Sequence, residues 1–331
     1  MKESERTLLE VEGVSVEFGR RSWPRPAPGL VAVDDVSFEV RAGETLAIVG
    51  ESGSGKSTTA RAVLGLVPLA RGSVRLHGTE LGELGRRDLR RARSAMQMVF
   101  QDPYSSLDPS TTVGASIAEP LRVHAGLSMS AAWPRVHELL ELVGLRAGYA
   151  DRYPAEFSGG QRQRIAIARA LAVNPDLVVC DEAVSALDVS TQNQIVNLLA
   201  DLRETLDLAY LFIAHDLAVV RHIADRVAVM YRGRIVEIGS VERVYTDPLH
   251  PYTRSLLASV PVPDPRRRHG RVRAAPPGEP AAARTAPGCT YAPRCPLVTE
   301  ACSVMPSLEP ASSGAEVACH AQPRVPKAVP G

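Results

Sequence analysis

Leu46-Ala47-Ile48-Val49-Gly50-Glu51-Ser52-Gly53-Ser54-Gly55-Lys56-Ser57-Thr58 runs from four apolar residues into a glycine-rich turn that carries a lysine. The apolar run suits a buried parallel strand. The turn is the phosphate-binding pattern GxxxxGK followed by Ser or Thr. Thr59-Ala60-Arg61-Ala62-Val63-Leu64 after it reads as a helix, so the motif stands in the strand-loop-helix context it requires. Its glycines let successive backbone N–H groups face one anion, and the helix N-terminus adds roughly half a positive charge. Lys56 supplies a compact ammonium to the β and γ phosphates, a slot for which the planar fork of arginine is the wrong shape. Ser57 is placed to ligate Mg²⁺.

Of the 38 basic residues three are lysines, Lys2, Lys56 and Lys327, so this chain writes arginine wherever a cation merely solvates a surface. The one lysine away from the ends falls in the one slot that asks for an ammonium. Against 37 acidic residues the net charge is +1, which argues against a strongly basic nucleic-acid binder and against a polyacidic chain. At 331 residues, 45% hydrophobic and 23% charged, the chain is long enough for a full core and more than one domain. It holds no apolar run of about 18 residues suited to crossing a membrane, and MKESERTLLE at the start is too charged for a signal peptide.

A second strand-like run, Leu177-Val178-Val179-Cys180, ends in Asp181-Glu182. Two carboxylates at the end of a buried strand put the first beside the metal and the second toward the attacking water. Asp181 is expected to hold Mg²⁺ and Glu182 to polarise the nucleophile. Between the two strands lies Phe157-Ser158-Gly159-Gly160-Gln161, opening a helix from Arg162 onward. A glycine pair at a helix start makes another anion site, with Ser158 able to cap it. One chain cannot easily aim both helix termini at a single γ-phosphate; two chains packed head to tail can. Cys180, between Val179 and Asp181, is expected to be a small core residue.

The order of phosphate loop, Gln101, Ser-Gly-Gly-Gln, Asp181-Glu182, Ser185 to Asp188 and His215 resembles the nucleotide-binding subunit of ATP-binding-cassette (ABC) transporters over roughly residues 7 to 250. The resemblance implies an α/β P-loop NTPase core with an antiparallel β subdomain and a helical subdomain at about 104–160. It implies that Gln101 contacts Mg²⁺ and water and relays to membrane subunits, that Asp188 communicates across the dimer, and that His215 senses the γ-phosphate. Ser158, Gly159, Gly160 and Gln161 would then act in trans on the ATP of the partner. Phe18 is the candidate to stack on adenine, with a place in the core of the first strand and Trp23 as rivals. Phe157 and Ala183 depart from the usual leucine and proline, leaving Glu182 in place. Tyr104 to Pro109 is expected to line the groove that receives the permease.

Composition shifts near Asp247: of 26 prolines 16 lie from Pro248 onward, and four of five cysteines lie from Cys289 to Cys319. Residues 1–247 read as the ATPase domain and 248–331 as an extension, with a linker from Pro261 to Pro287. His250-Pro251-Tyr252-Thr253 and the cysteine region resemble the oligopeptide, dipeptide and nickel importer ATPases. That resemblance implies peptide uptake, with nickel or another small solute as the alternative. It implies two transmembrane permease subunits, a paired ATPase subunit, an extracytoplasmic solute-binding protein, no nucleic acid, and a place on the cytoplasmic face of the cell membrane. Val184, Ser185 and the insertion after Phe18 suggest the second of two paired ATPase types, hence a heterodimer. The rival class is a soluble cassette ATPase acting on nucleic acid or ribosomes; such proteins usually carry two cassettes or a long coiled coil, and this chain has neither. Cys289, Cys295, Cys302 and Cys319 suit an iron–sulfur (4Fe-4S) cluster, zinc, or free thiols in a small subdomain. Arg266, Arg267, Arg268, Arg271 and Arg273 read as a solvated basic cluster, with contact to anionic lipid headgroups near the permease as the alternative.

Overall fold

The computed structural model describes residues 6–19, 29–102, 104, 106–259, 287–311 and 314–321. Trp23, Pro103, the linker and its five arginines lie outside the described residues.

The chain opens with β1 (Thr7–Phe18) and β2 (Leu30–Arg41), which pair antiparallel and continue through β4 (Arg71–Leu76) to β5 (Thr79–Glu80) in the sheet β2-β1-β4-β5. This is the expected antiparallel subdomain. β3 (Thr45–Val49) belongs instead to an eight-stranded sheet with β6 (Met96–Val99), β7 (Leu177–Asp181), β8 (Ala209–Ala214), β9 (Arg226–Tyr231), β10 (Arg234–Ser240), β11 (Glu309–Pro310) and β12 (Glu316–Val317), in the order β11-β12-β10-β9-β3-β8-β7-β6. From β9 to β6 neighbours are parallel, and from β9 to β11 they are antiparallel.

β3, β7 and β8 are buried at every position, which is why they read as unbroken apolar runs. The pleat still divides them by twos. Leu46, Ile48, Leu177, Val179, Leu211 and Ile213 face one core layer, which includes β1, β2 and α1 (Lys56–Val63). Ala47, Val49, Val178, Cys180, Tyr210 and Phe212 face the other, where helices pack.

Those helices include α5 (Gly159–Leu171) and α6 (Val189–Leu206), while α2 (Arg86–Ser94) lays Leu89 and Ala92 against the first layer. Between β6 and α5 stand α3 (Val113–Ala125) and α4 (Met129–Leu142), capped by the Thr112 and Ser128 hydroxyls. They approach so closely that a Cβ on Gly114 would meet the Trp133 ring at 2.5 Å. α4 buries Ala132, Val136, Leu139 and Leu140 on one face. After β8 come α7 (Leu217–Ile223), α8 (Val241–Thr246) and α9 (Pro251–Ala258). No helix among the described residues is long and apolar enough to cross a membrane.

The cysteine-bearing segment is stitched to this body. β12 pairs with β10, and Tyr291 sits in the main core, its ring 5.3 Å from Tyr231 and 5.6 Å from Tyr252. Such aromatic triads prefer edge-to-face geometry, and truncating one buried member costs about 3–5 kcal/mol.

Candidate nucleotide site

Neighbouring strands β3, β8, β7 and β6 deliver the polar groups from their C-terminal ends: Gly50 after β3, His215 after β8, Asp181 and Glu182 at β7, and Gln101 beyond β6. Because these strands are parallel, the four ends lie on one edge, the usual place for a ligand in such sheets.

The loop from Gly50 to Gly55 takes its shape from close backbone approach. A Cβ on Gly50 would meet the Met230 carbonyl oxygen at 2.1 Å, and one on Gly55, at φ 108°, would meet the Ala32 carbonyl oxygen at 2.5 Å. No side chain fits at either place. No side chain caps α1 at Gly55 and no acid sits in its first turn, so its leading N–H groups suit an anion.

Lys56 is 4% exposed. Its Nζ donates to the carbonyls of Gly50 (2.9 Å) and Glu51 (3.0 Å). Burial lowers its pKa, opposed by the charges of Glu182 and Asp181. The Ser54 hydroxyl is buried with no hydrogen-bond partner among the described residues, a polar atom such a loop leaves for a phosphate oxygen. Ser57 Oγ donates to Asp181 Oδ1 at 2.7 Å, joining the start of α1 to the end of β7. Hard oxygen donors from Ser57 and Asp181, with the Gln101 amide nearby, are a set suited to Mg²⁺.

Glu182 closes β7 with φ 47°, left-handed backbone that costs a non-glycine residue roughly 1–2 kcal/mol. Its N–H donates to Ile213 O at 3.0 Å. The turn aims its carboxylate at two other groups: Gln101 Nε2 donates to Oε2 at 2.8 Å, and His215 Nδ1 stands 3.8 Å away. Cys180, two residues before, is fully buried and its thiol is pushed up to about 12 by burial and then by Asp181, so it is a core residue and no nucleophile.

Ser158 and Gln161 satisfy each other in a capping box, Ser158 N donating to Gln161 Oε1 (3.0 Å) and Gln161 N to Ser158 Oγ (3.4 Å). A Cβ on Gly160 would meet Thr191 Cγ2 at 2.4 Å, and one on Gly159 would touch Leu187 and Tyr104. Asp188 caps α6 by accepting from Thr191 N at 2.9 Å and Thr191 Oγ1 at 2.8 Å. The chain thus brings Ser158–Gln161 beside the Asp188 loop. Phe18, 42% exposed at the end of β1, is a surface aromatic and not a core one.

Of the stretch from Tyr104 to Pro109, Tyr104 is 59% exposed with Arg162 stacked on its ring at 4.3 Å, while Leu107 is buried. The cleft near Gln101, of about 330 Å³, is lined by Leu64, Leu66, Met98, Phe100, Pro120 and Arg169. The four C-terminal thiols are free and half-buried, and Cys319 senses the charges of Cys295, Cys289 and Cys302. Burial raises the pKa of Cys289, Cys295 and Cys319. Among the described residues no group of three or more His, Cys, Asp or Glu is arranged to hold a metal ion.

Sequence reasoning missed Tyr252 and Arg294. The Glu51 N–H donates to Tyr252 Oη at 2.9 Å, and Arg294 Nη1 lies 3.3 Å from the Glu51 carboxylate. His250-Pro251-Tyr252 was visible as a motif; nothing local in it points to the loop some 200 residues earlier.

The ABC transporter family matches residues 33–185, and the family described as the oligopeptide/dipeptide transporter C-terminal region matches residues 236–302. A probable peptide ABC transporter ATP-binding protein of Sinorhizobium fredii is 49% identical over 317 residues, covering 95% of this chain and 89% of that protein. A putative peptide import ATP-binding protein of Brucella abortus is 52% identical over 301 residues, 89% of each. The glutathione import ATP-binding protein GsiA of Salmonella paratyphi A is 54% identical over 266 residues, 80% of this chain and 43% of GsiA. Among solved structures, a dimeric ATP-binding cassette in a post-hydrolysis state with ADP and Pi is similar at TM-score 0.62 and 28% identity, over 71% of this chain and 99% of that one. Another, cbiO1 of Clostridium perfringens, part of an ABC transporter complex, is similar at TM-score 0.64 and 26% identity, over 73% and 92%.

Proposed function

The chain belongs to the ABC transporter family as an ATP-binding, ATP-hydrolysing subunit of an importer, and on that premise we propose that it powers peptide uptake through membrane permease partners. One observation carries the reading: Lys56, Ser57, Asp181, Glu182, Gln101 and His215 converge at the ends of four adjacent strands. The relatives described as peptide import proteins, and the match to the oligopeptide/dipeptide C-terminal region, support peptides over nickel or another small solute.

Lys56 leaves the loop carbonyls to take the β and γ phosphates, and the amides opening α1 hold the rest of the anion. Ser57 and Asp181 would hold Mg²⁺, with Gln101 beside them, and the ion would there neutralise phosphate charge. Glu182 orients a water for in-line attack on the γ-phosphorus. The bond to the bridging oxygen breaks, releasing ADP and phosphate, and the proton of the water passes toward the Glu182 carboxylate. Gln101 holds that carboxylate, and His215 senses the leaving phosphate. Phe18 stacks on adenine. Ser158, Gly159, Gly160 and Gln161 close the site of a paired ATPase, and Asp188, which holds the Thr191 packed against Gly160, carries the closure back to Glu182 through Ser185, whose Oγ donates to the Glu182 carbonyl at 2.9 Å. No step passes through the cysteines.

The permease enters at the cleft beside Gln101, where Leu66 is 51% and Phe100 41% exposed, an apolar surface unlike a solvated one. The chain sits there on the cytoplasmic side of the membrane, with two permease subunits and a second, paired ATPase. Isolation of the chain from a membrane extract tests this: permease, ATPase and solute-binding partners should come with it. Recovery with ribosomes or nucleic acid alone would replace the transport reading by the soluble one.

A further inference from the structure

Glu51 is the second residue of the phosphate loop, and its polar groups are divided between two masters. Its carbonyl accepts from Lys56 Nζ at 3.0 Å and from Ser54 N at 3.1 Å. Its N–H is given to Tyr252 Oη, and its carboxylate to Arg294, both from the C-terminal part of the chain.

Neither partner is loosely placed. Tyr252 is 1% exposed, its ring 4.5 Å from Tyr231 and 5.6 Å from Tyr291. α9 presents it because the preceding residues are anchored on a buried acid: the Glu237 carboxylate accepts from Leu249 N and His250 N, each at 2.8 Å, and His250 Nδ1 caps the helix by accepting from Tyr252 N at 3.0 Å. The Arg294 side chain is 15% exposed and stands in the short turn Ala292–Arg294, next to Cys295 and five residues after Cys289. Its backbone is held there by Arg294 N to Tyr291 O at 2.9 Å, while Cys289 N donates to Cys302 O at 2.9 Å.

We propose that the C-terminal segment braces the phosphate loop, with Tyr252 and Arg294 as positioning residues that hold Glu51, and through its carbonyl Lys56, in the curl that receives phosphate. A loop residue free to rotate would spend its N–H on water and let the carbonyl that seats Lys56 wander; the brace removes that freedom before nucleotide arrives, so it acts on binding more than on the chemical step. The brace rests on reading Gly50–Thr58 as the phosphate site.

The test uses the full-length chain, with ADP and ATP binding measured at equilibrium, and the transporter complex isolated from membranes for KM and kcat. Tyr252→Phe and Arg294→Met should each weaken ADP and ATP by about 5- to 20-fold and raise KM for ATP in step, while kcat changes by less than about 2-fold. Because a single Arg294 nitrogen reaches the carboxylate, Arg294→Lys should recover most of the loss. Glu51→Gln combined with Arg294→Met should cost little more than either alone. Unchanged nucleotide affinity, a fall in kcat without one in affinity, or additive effects of Glu51→Gln and Arg294→Met would overturn the brace alone. Should Tyr252→Phe fail to fold, the Glu51 and Arg294 pair decides. Normal ADP binding by Lys56→Ala would instead overturn the phosphate site, and the brace with it.

Discussion

Ser57 Oγ donates a 2.7 Å hydrogen bond to Asp181 Oδ1, across 124 residues of chain. It ties the start of the first helix, which follows β3, to the end of β7, two places along the sheet with β8 between them, and both oxygens can turn to a divalent ion. Ser57→Ala and Asp181→Asn should each weaken the Mg²⁺ dependence of ATP hydrolysis by at least about 10-fold. A titration of activity against Mg²⁺ reads this; curves that overlay the parent would remove both residues from the metal.

Glu182→Gln keeps the size and the left-handed turn of Glu182 and removes the negative charge. It should bind ATP as the parent does and lose about 10²–10³-fold in turnover, accumulating a closed dimer with its partner ATPase. Full steady-state hydrolysis with a functional partner present would show that another group handles the water.

Lys56→Arg tests the shape of the slot. The ammonium reaches two carbonyls at 2.9 and 3.0 Å from a residue that is 4% exposed, with no room for a wider fork. Nucleotide affinity should fall by at least about 10-fold. The opposite exchange on exposed Arg61, Arg61→Lys, should leave it unchanged. Equal behaviour of the two variants would mean that the single internal lysine is an accident of composition.

His250 makes stability depend on pH. Burial lowers its pKa to about 4 from the ordinary histidine value of 6.5, and its Nδ1 must be unprotonated to cap α9. Between pH 6.5 and 4 the unfolded chain binds a proton that the folded chain refuses, so stability is full above that window and falls as pH drops through it. The raised pKa of Glu237, pushed up chiefly by burial, acts in the opposite sense. Comparing urea midpoints of the parent and His250→Asn cancels Glu237, since asparagine caps without titrating. From pH 7 to 5 the parent should lose about 2 kcal/mol more than the variant. Parallel losses would mean that His250 takes its proton in the folded state.

The parts of the site that sequence discloses are those whose signal is local. Leu46 to Thr58 carries strand, turn and helix in thirteen consecutive residues, and Asp181-Glu182 follows an apolar run directly. Their meeting is legible because parallel strands must present their ends on one edge. Tyr252 and Arg294 are hidden because each acts on the loop only after β9, β10 and α9 have folded back upon it. The Arg162 guanidinium over the Tyr104 ring is hidden for a related reason, since 58 residues separate the two and only the fold brings them together. The cysteines leave their role open in sequence, since four thiols in a short stretch suit a metal or a small subdomain of free thiols alike.

The alternation along β3 and β7 has a consequence for which sequences can carry this site. Leu46 to Val49 and Leu177 to Cys180 each answer to one of two separate cores, so an insertion or deletion of one residue would exchange the sets facing each layer and swing Asp181 away from Ser57. Length, more than identity, is the protected quantity there. Related chains should trade Leu for Ile or Val freely within the strands while leaving the count of residues from Thr45 to Lys56 and from Leu177 to Glu182 untouched, as a ruler keeps its divisions whatever it is made of.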